Sequence, residues 1–314
     1  MRRSVGIIGT GWVGASVAIS TLHSGIADEL LLHDRRTEVA EGEALDLAHG
    51  ASFYPPSVVR TSAVEDMCGC DAVVVTAGRG GRPGESRLDL LRDNAAVIRD
   101  IGRALAGCRG IIVVVSNPVD VLTRVMTEAS GLPAARVVGT GTMLDSARLR
   151  QTLARVLHVD SHSVHAQVVG EHGDSEVVLW SSATAGGVRI RDWPQWNRED
   201  EPRIAQEVYR AAYEIIQRKG ATNHAIGLVT ADLLRCMLRD ERRILTVSRV
   251  QQDTQGLEDV ALSLPAVVSA EGAATVIHPQ MDSHERAGLE RSAAVLREAG
   301  ASLGAGKPAA FPSE

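Results

Sequence analysis

The stretch Val169-Gly170-Glu171-His172-Gly173-Asp174-Ser175 sets an imidazole between two glycines and two carboxylates, with apolar residues on either side. Histidine titrates near pH ~6.5 and can give and take a proton at neutral pH, while a flanking glycine lets backbone and substrate come close. By itself the stretch also fits a polar turn between 164–169 and 176–179. A second candidate is Gly9-Thr10-Gly11-Trp12-Val13-Gly14, which follows the β-branched run 5–8 and opens the amphipathic segment 12–23, stopped at Gly25. Gly9 permits a tight turn, Gly11 lets the backbone touch a pyrophosphate, and Gly14 allows helix and strand to pack closely. The unpaired N–H groups of the helix start then face the anion. Asp34 ends the next apolar run, about where an acid would bond the adenine ribose hydroxyls. Its charge favours NAD over NADP by repelling a 2′-phosphate, although Arg35 and Arg36 beside it weigh the other way. The third candidate is the glycine-rich loop holding Arg79, Arg82 and Arg87. It suits a mobile lid carrying positive charge to a bound anion, or a solvated loop with arginines at its rim.

Elements that could position these residues are legible along the chain. β-Branched runs at 5–8, 30–33, 58–60, 72–76, 111–115 and 136–138 alternate with helical patterns. Runs apolar on both faces, such as 73–75 and 111–115, suit a parallel sheet covered by helices on each side. The expected fold is therefore α/β: a Rossmann-type doubly wound parallel sheet over residues 1–140, followed by an α+β domain over 141–314. In that second part, strands are expected at 163–169, 176–180, 243–250 and 259–268. Helices are expected at 146–157, 201–220, 223–239 and 283–299, with a flexible tail from about 300 to 314. Trp193 and Trp196, in the loop 191–197, read as packing or interface residues.

Composition narrows the function. Lys and Arg number 33 against 39 Asp and Glu, a net charge of -6. That balance, with 3% aromatic residues, argues against nucleic acid as a partner. The four cysteines, Cys68, Cys70, Cys108 and Cys236, are too scattered for a disulfide framework. Cys68-Gly69-Cys70 lacks the second pair or histidines of a zinc site, so no metal is expected and the cysteines read as free thiols in a reducing compartment. Arg2-Arg3 followed by an apolar run could pass for a signal peptide, but the three spaced glycines argue against it. No run is long enough to span a bilayer, and the expectation is a cytoplasmic protein without membrane contact.

Taken together, GTGWVG, EGEALDLAHG, TAGRGGRPGESRLDLLRDN, SNPVD, GTGTMLDSARLR, GEHGDSE, KGATNHAIGL and ILTVS resemble the lactate/malate dehydrogenase family on its lactate side, over about residues 4–299. The resemblance implies an NAD-dependent L-2-hydroxyacid dehydrogenase with His172 as acid/base and Asp145 as its orienting carboxylate. It makes Arg148 the clamp on the substrate carboxylate and Arg87 the lid residue that polarises the reacting carbonyl. Asn117 would sit beside nicotinamide and substrate oxygen, its bond to Pro118 cis, and Thr222 would line the pocket. Trp12, Val13, Thr76, Ala77 and Gly78 would join Gly9, Gly11, Gly14 and Asp34 around NAD. Asp145 also stands at a helix start, where an acid serves as a cap.

The chain departs from the family at Gly81, where lactate enzymes carry Gln and malate enzymes Arg just before the basic-Pro-Gly triplet begun by Arg82. A glycine leaves a larger or wetter pocket at the distal end of the substrate. Pyruvate, as the partner of L-lactate, ranks first. The alternative is a bulkier or dianionic 2-oxo acid (oxaloacetate, phosphonopyruvate or an aryl-pyruvate), met by Arg79 or Arg82. Arg150 and His165 fall where bacterial relatives hold fructose 1,6-bisphosphate between subunits, implying a homo-oligomer, a dimer or an allosteric tetramer. A dinucleotide sensor that lost the reaction should have lost His172, Arg148 or Asp145, and a Ser hydrolase would need a G-x-S-x-G elbow that does not occur.

Overall fold

A computed structural model describes residues 2–80, 86–252, 254 and 256–304. The first half alternates strand and helix: β1 (Ser4–Ile8), α1 (Trp12–His23), β2 (Glu29–His33), α2 (Thr37–His49), β3 (Val58–Thr61), β4 (Ala72–Val75), α3 (Arg87–Ala104), β5 (Ile111–Val114), α4 (Val119–Ser130) and β6 (Val137–Gly139). The second half holds α5 (Met143–Leu157), the short strands β7 (Val164–His165), β8 (Val168–Val169), β9 (Val177–Val178), β10 (Thr184–Ala185) and β11 (Val188–Arg189), then α6 (Glu201–Lys219) and α7 (His224–Leu238). It closes with β12 (Arg243–Val250), β13 (Ala261–Ser269), β14 (Gly272–Val276) and α8 (Ser283–Gly304).

Six parallel strands in the order β3-β2-β1-β4-β5-β6 form the doubly wound sheet, as expected. The sheet does not stop there. β12 lies antiparallel beside β6, and β13 and β14 extend it to nine strands, so strands expected in the second domain complete the sheet of the first. β4 and β5 are buried at every residue. Their side chains alternate between two cores: Ile112 and Val114 face Leu91, Ile98, Val121 and Leu289, while Ile111 and Val113 face Val17, Leu22 and Leu233. A third core joins α5 and α6 to the short strands, and Trp180 packs on Trp196 there with ring centroids 5.6 Å apart. The tryptophan loop thus packs within the chain.

Several expectations are corrected. The run 163–169 is not one strand: β7 pairs with β10, and β8 with β9 in a separate sheet, because the chain turns between them. Strand 176–180 shrinks to Val177–Val178. β14 was not expected; its opening Gly-Ala-Ala has little strand character, and the tight turn at Gly272 (φ +88°) folds it back on β13. α8 continues through Gly304, so residues 300–304 are helical and only 305–314 of the expected tail fall outside the described residues. Cys68 and Cys108 are joined as a disulfide, with Cα atoms 4.3 Å apart. The turns leading into neighbouring β4 and β5 bring them side by side, a contact that spacing along the chain does not reveal. Cys70 and Cys236 are the buried free thiols. Among the described residues no helix is long and apolar enough to cross a membrane.

Ile112 is 1% exposed, in the middle of the sheet. Ile112→Ala is expected to lower unfolding free energy by about 2–5 kcal/mol through lost burial and a residual cavity. Urea denaturation of the purified variant checks this.

Candidate active site

The ends of β1, β4 and β5 meet where the strand order reverses, the crevice position for a ligand in an open α/β sheet. Gly9, at φ +97°, turns the chain so closely over β4 that a Cβ there would stand 2.7 Å from the Ala77 nitrogen. Thr76 Oγ1 donates to Gly9 O at 2.7 Å, and a Cβ on Gly14 would run into that same carbonyl. Gly11 behaves differently. A Cβ there would meet nothing within 4 Å, so the start of α1 opens onto free space with its N–H groups unscreened. Asp34 accepts from Thr10 N at 2.9 Å and Arg36 N at 3.1 Å. Burial favours its neutral form, but these donors prevail and hold the carboxyl below its usual range, so it is an anion beside the cradle. An uncluttered glycine turn at a helix start, with a carboxylate beyond it, fits the pyrophosphate and adenine ribose of NAD. Trp12 is 64% exposed at this mouth, with Val13 behind it half-buried.

The next wall is built by Asn94. This buried amide of α3 accepts from Arg79 N (2.9 Å) and donates to Arg79 O (3.2 Å) and Asn117 O (3.0 Å). It pins the chain after Gly78 to the turn after β5. The Asn117–Pro118 peptide bond is cis, as expected. Arg79 itself is held by Asp93 at 2.7 Å. Gly81 and Arg82 lie outside the described residues, as does the side chain of Arg87, whose backbone opens α3.

His172 is fixed through three successive backbone groups. Gly170 exchanges two hydrogen bonds with Ser263 of β13, both 2.9 Å. Glu171 N donates to Ser292 Oγ of α8 at 2.6 Å, and His172 N donates to Asp120 Oδ2 of α4 at 2.7 Å. The ring Nδ1 meets Asp145 Oδ2 at 2.6 Å, and Arg148 Nη1 donates to the other oxygen, Oδ1, at 2.8 Å. Asp145 and Arg148 are three residues apart on α5 and so share one face. Burial works against a charged ring, but the Asp145 carboxylate outweighs it and raises His172 to about 9. Burial likewise opposes ionisation of Asp145, whereas His172 and Arg148 together hold it lowered. Asp145 is therefore no helix cap: its oxygens are spent on His172 and Arg148, and the α5 N-cap, Thr142, makes no side-chain cap bond.

Three residues of this region lay outside the sequence expectations. Asp120 is fully buried, which pushes it up to about 6, and it carries the His172 N–H. Its place in SNPVD, at a helix start, is indistinguishable from a cap in sequence. Glu176 lies with His172 and Asp145 in a group whose donor atoms fall within 4.8 Å of one another, where no metal was expected. Asp174 accepts from the hydroxyls of Tyr209 (2.8 Å) and Tyr213 (2.9 Å), tying the loop to α6. Thr222 is half-buried in the link between α6 and α7, whose Asn223 donates to Ser16 of α1 at 2.9 Å. Arg150 and His165 are not brought into one pocket. Arg150 lines a depression of about 220 Å³ with Gln167, Asp232 and Arg243, whereas exposed His165 is absent from that lining.

Known proteins share this sequence and fold. The lactate/malate dehydrogenase NAD binding domain family matches residues 3–139, and the lactate/malate dehydrogenase alpha/beta C-terminal domain family matches 142–303. An L-lactate dehydrogenase of Thermus aquaticus is 44% identical over 307 residues, 96% of this chain and 99% of that one. An L-lactate dehydrogenase of a Synechococcus strain is 45% identical over 295 residues, 93% of this chain and 96% of the relative. The ligand-bound crystal structure of the minor L-lactate dehydrogenase of Enterococcus mundtii superposes with a TM-score of 0.93 at 40% identity, covering 96% of this chain and 98% of that one. The fold is thus shared end to end.

Gly170 sits at φ +88°, and a Cβ there would stand 2.7 Å from Ser292 Oγ, the acceptor for the next backbone N–H. Gly170→Ala should cut turnover at least tenfold by shifting the His172 loop, while NADH affinity, governed by the opposite wall, changes little. Steady-state kinetics beside fluorescence titration with NADH checks both halves of that expectation.

Proposed function

Because the chain belongs to the lactate/malate dehydrogenase family and is an NAD-dependent oxidoreductase acting on CH–OH, we propose that it interconverts an L-2-hydroxy acid and its 2-oxo acid, pyruvate and L-lactate first among them. The observation that carries this reading is the Asp145 carboxylate shared by His172 and Arg148. Residues 1–140 hold the dinucleotide and lend Arg87 and Asn117 to the substrate, and 141–314 supply His172, Asp145, Arg148 and Thr222. When bound, NADH supplies a hydride to the substrate C2.

The chain's own residues then do the rest. With Nδ1–H donated to Asp145, the protonated ring of His172 presents Nε2–H to the carbonyl oxygen, where negative charge develops. A ring held at about 9 is charged at neutral pH and can deliver that proton; Asp145 holds its orientation and tautomer. Arg148 offers a planar fork to the substrate carboxylate, which no lysine can match. Arg87 polarises the same carbonyl, Asn117 flanks the nicotinamide, and Thr222 lines the pocket. Arg79 is paired with Asp93. The lactate-type motifs, Thr222 among them, put a monoanionic 2-oxo acid ahead of oxaloacetate or phosphonopyruvate, with Gly81 and Arg82 left to tune the distal end.

His172→Asn is expected to lower kcat by about 10²–10⁴ with NADH binding retained. Arg148→Lys should instead weaken substrate binding by about 1.5–3 kcal/mol. A panel of 2-oxo acids with NADH tests the substrate: pyruvate reduced orders of magnitude more poorly than oxaloacetate or an aryl-pyruvate would reject the first choice.

The chain works as a homo-oligomer, and a sugar bisphosphate held between subunits at Arg150 and His165 is its candidate effector; within one chain the two residues lie apart, so the site needs a second copy. Fructose 1,6-bisphosphate at millimolar concentration should lower the KM for the 2-oxo acid; unchanged kinetics removes the effector.

A further inference from the structure

The loop carrying His172 also delivers Glu176 to the same place, and the scheme above leaves it without a task. Its N–H closes the turn on Gly173 O at 3.2 Å. Its Oε1 is buried and has no hydrogen-bond partner among the described residues. Carboxyl oxygens of Glu176 and Asp145 and a ring nitrogen of His172 fall within 4.8 Å of one another. The charged groups acting on Glu176 are Asp145 and Arg148 from α5 and His172 and Glu171 from its own loop. Glu171 is engaged by Ser175 N at 3.2 Å, and Asp120 of α4 by His172 N. On α8, which packs against β9, Glu285 accepts from Ser181 N at 2.8 Å.

With both carboxylates ionised, the positive charge of His172 and Arg148 is offset, and the Asp120 anion behind His172 adds to that, so an incoming carboxylate would find no net attraction. Were one of the acids neutral, one negative charge fewer would face the substrate. Asp145 cannot be that acid, since both of its oxygens are engaged by cationic donors. Glu176, with an oxygen that meets no donor, can.

On the basis of the function proposed above, we propose that Glu176 is the charge-setting residue of this pocket: as a carboxylic acid it removes one negative charge from beside the substrate carboxylate, and as a carboxylate it competes with substrate for Arg148 and His172. Burial pushes Glu176 up to about 8, Asp145 adding to the effect while His172 and Arg148 oppose it. The sign follows. Substrate affinity is full below about 8 and falls as pH rises through that value, before His172 loses its own proton near about 9. Because an anion bound beside it favours the neutral acid further, binding should draw a proton from solution.

The probe is oxamate, an unreactive carboxylate analogue of pyruvate, titrated against the full-length protein saturated with NADH. In the native protein the oxamate Kd should rise through pH about 8, whereas Glu176→Gln should hold its affinity until His172 titrates, below the native value of about 9 because the Glu176 carboxylate helps to raise it. At pH about 8 the variant should bind about twofold tighter than the native protein, and the difference should lie in KM rather than kcat. Superimposable pH profiles for the two proteins overturn the proposal. Should the variant fold poorly, calorimetry of the native protein in two buffers of different ionisation heat decides. At pH about 8, oxamate binding should take up roughly half a proton, and binding with no proton uptake overturns the assignment. A native protein that binds no oxamate at any pH overturns this proposal and the functional reading together, whereas binding and reduction of 2-oxo acids with an unaltered Glu176→Gln profile overturns this one alone.

Discussion

One carboxylate with two cationic neighbours governs this site. Asp145, buried on α5, gives one oxygen to His172 and the other to Arg148, and it holds the His172 ring charged against the cost of burial. Removing the acid would do more than delete a hydrogen bond: it would leave an imidazolium and a guanidinium facing each other away from water. The geometry therefore has to be set by the rest of the fold, and it is. α5 starts immediately after β6, so Asp145 is referenced to the sheet itself, while the His172 loop is referenced to β13, α8 and α4 by successive backbone bonds.

That construction separates duties by wall. On one side, glycines remove side chains so that backbone N–H groups at the start of α1 are bare, with Asp34 as a fixed anion beyond them. On the other, side chains crowd together and tune one another's protonation. Asn94 stands between, a neutral amide whose bonds hold the lid root and the cis Asn117 turn at fixed spacing without adding charge to either wall. A neutral clip suits that position, because a charged residue there would disturb the balance among Asp145, His172, Arg148 and Glu176.

The features legible in the sequence were those whose cause is local. The glycine turn, the alternating burial of β4 and β5, and the helices 201–219 and 224–238 follow from spacing and periodicity within a few residues. His172 stood out in its own glycine- and acid-rich stretch, but its partners Asp145 and Arg148 were reachable only through family motifs, since the chain separates His172 from Asp145 by 27 residues. Asp120, Glu176 and Asn94 escaped for the same reason: their partners arrive from other elements, and alone they read as a cap, a surface acid and a helix amide. The Cys68–Cys108 pair and strand β14 depend wholly on neighbouring strands, so no local pattern announces them.

The sheet that runs on from β6 into β12 has an architectural consequence. In an enzyme whose two halves met only across a cleft, catalysis could be gated by swinging one half on a hinge. Here one sheet runs through both halves: β12 meets β6 at Ser248 and Gly139 and pairs along its length with β13, and the His172 loop is itself bridged to β13 at Ser263. Opening by rigid rotation would have to break the sheet at that junction and pull the His172 loop away from β13. The same stitching means that the dinucleotide half, severed near residue 140, would present the unpaired edge of β6 to other chains, a template for sticking rather than a self-sufficient module.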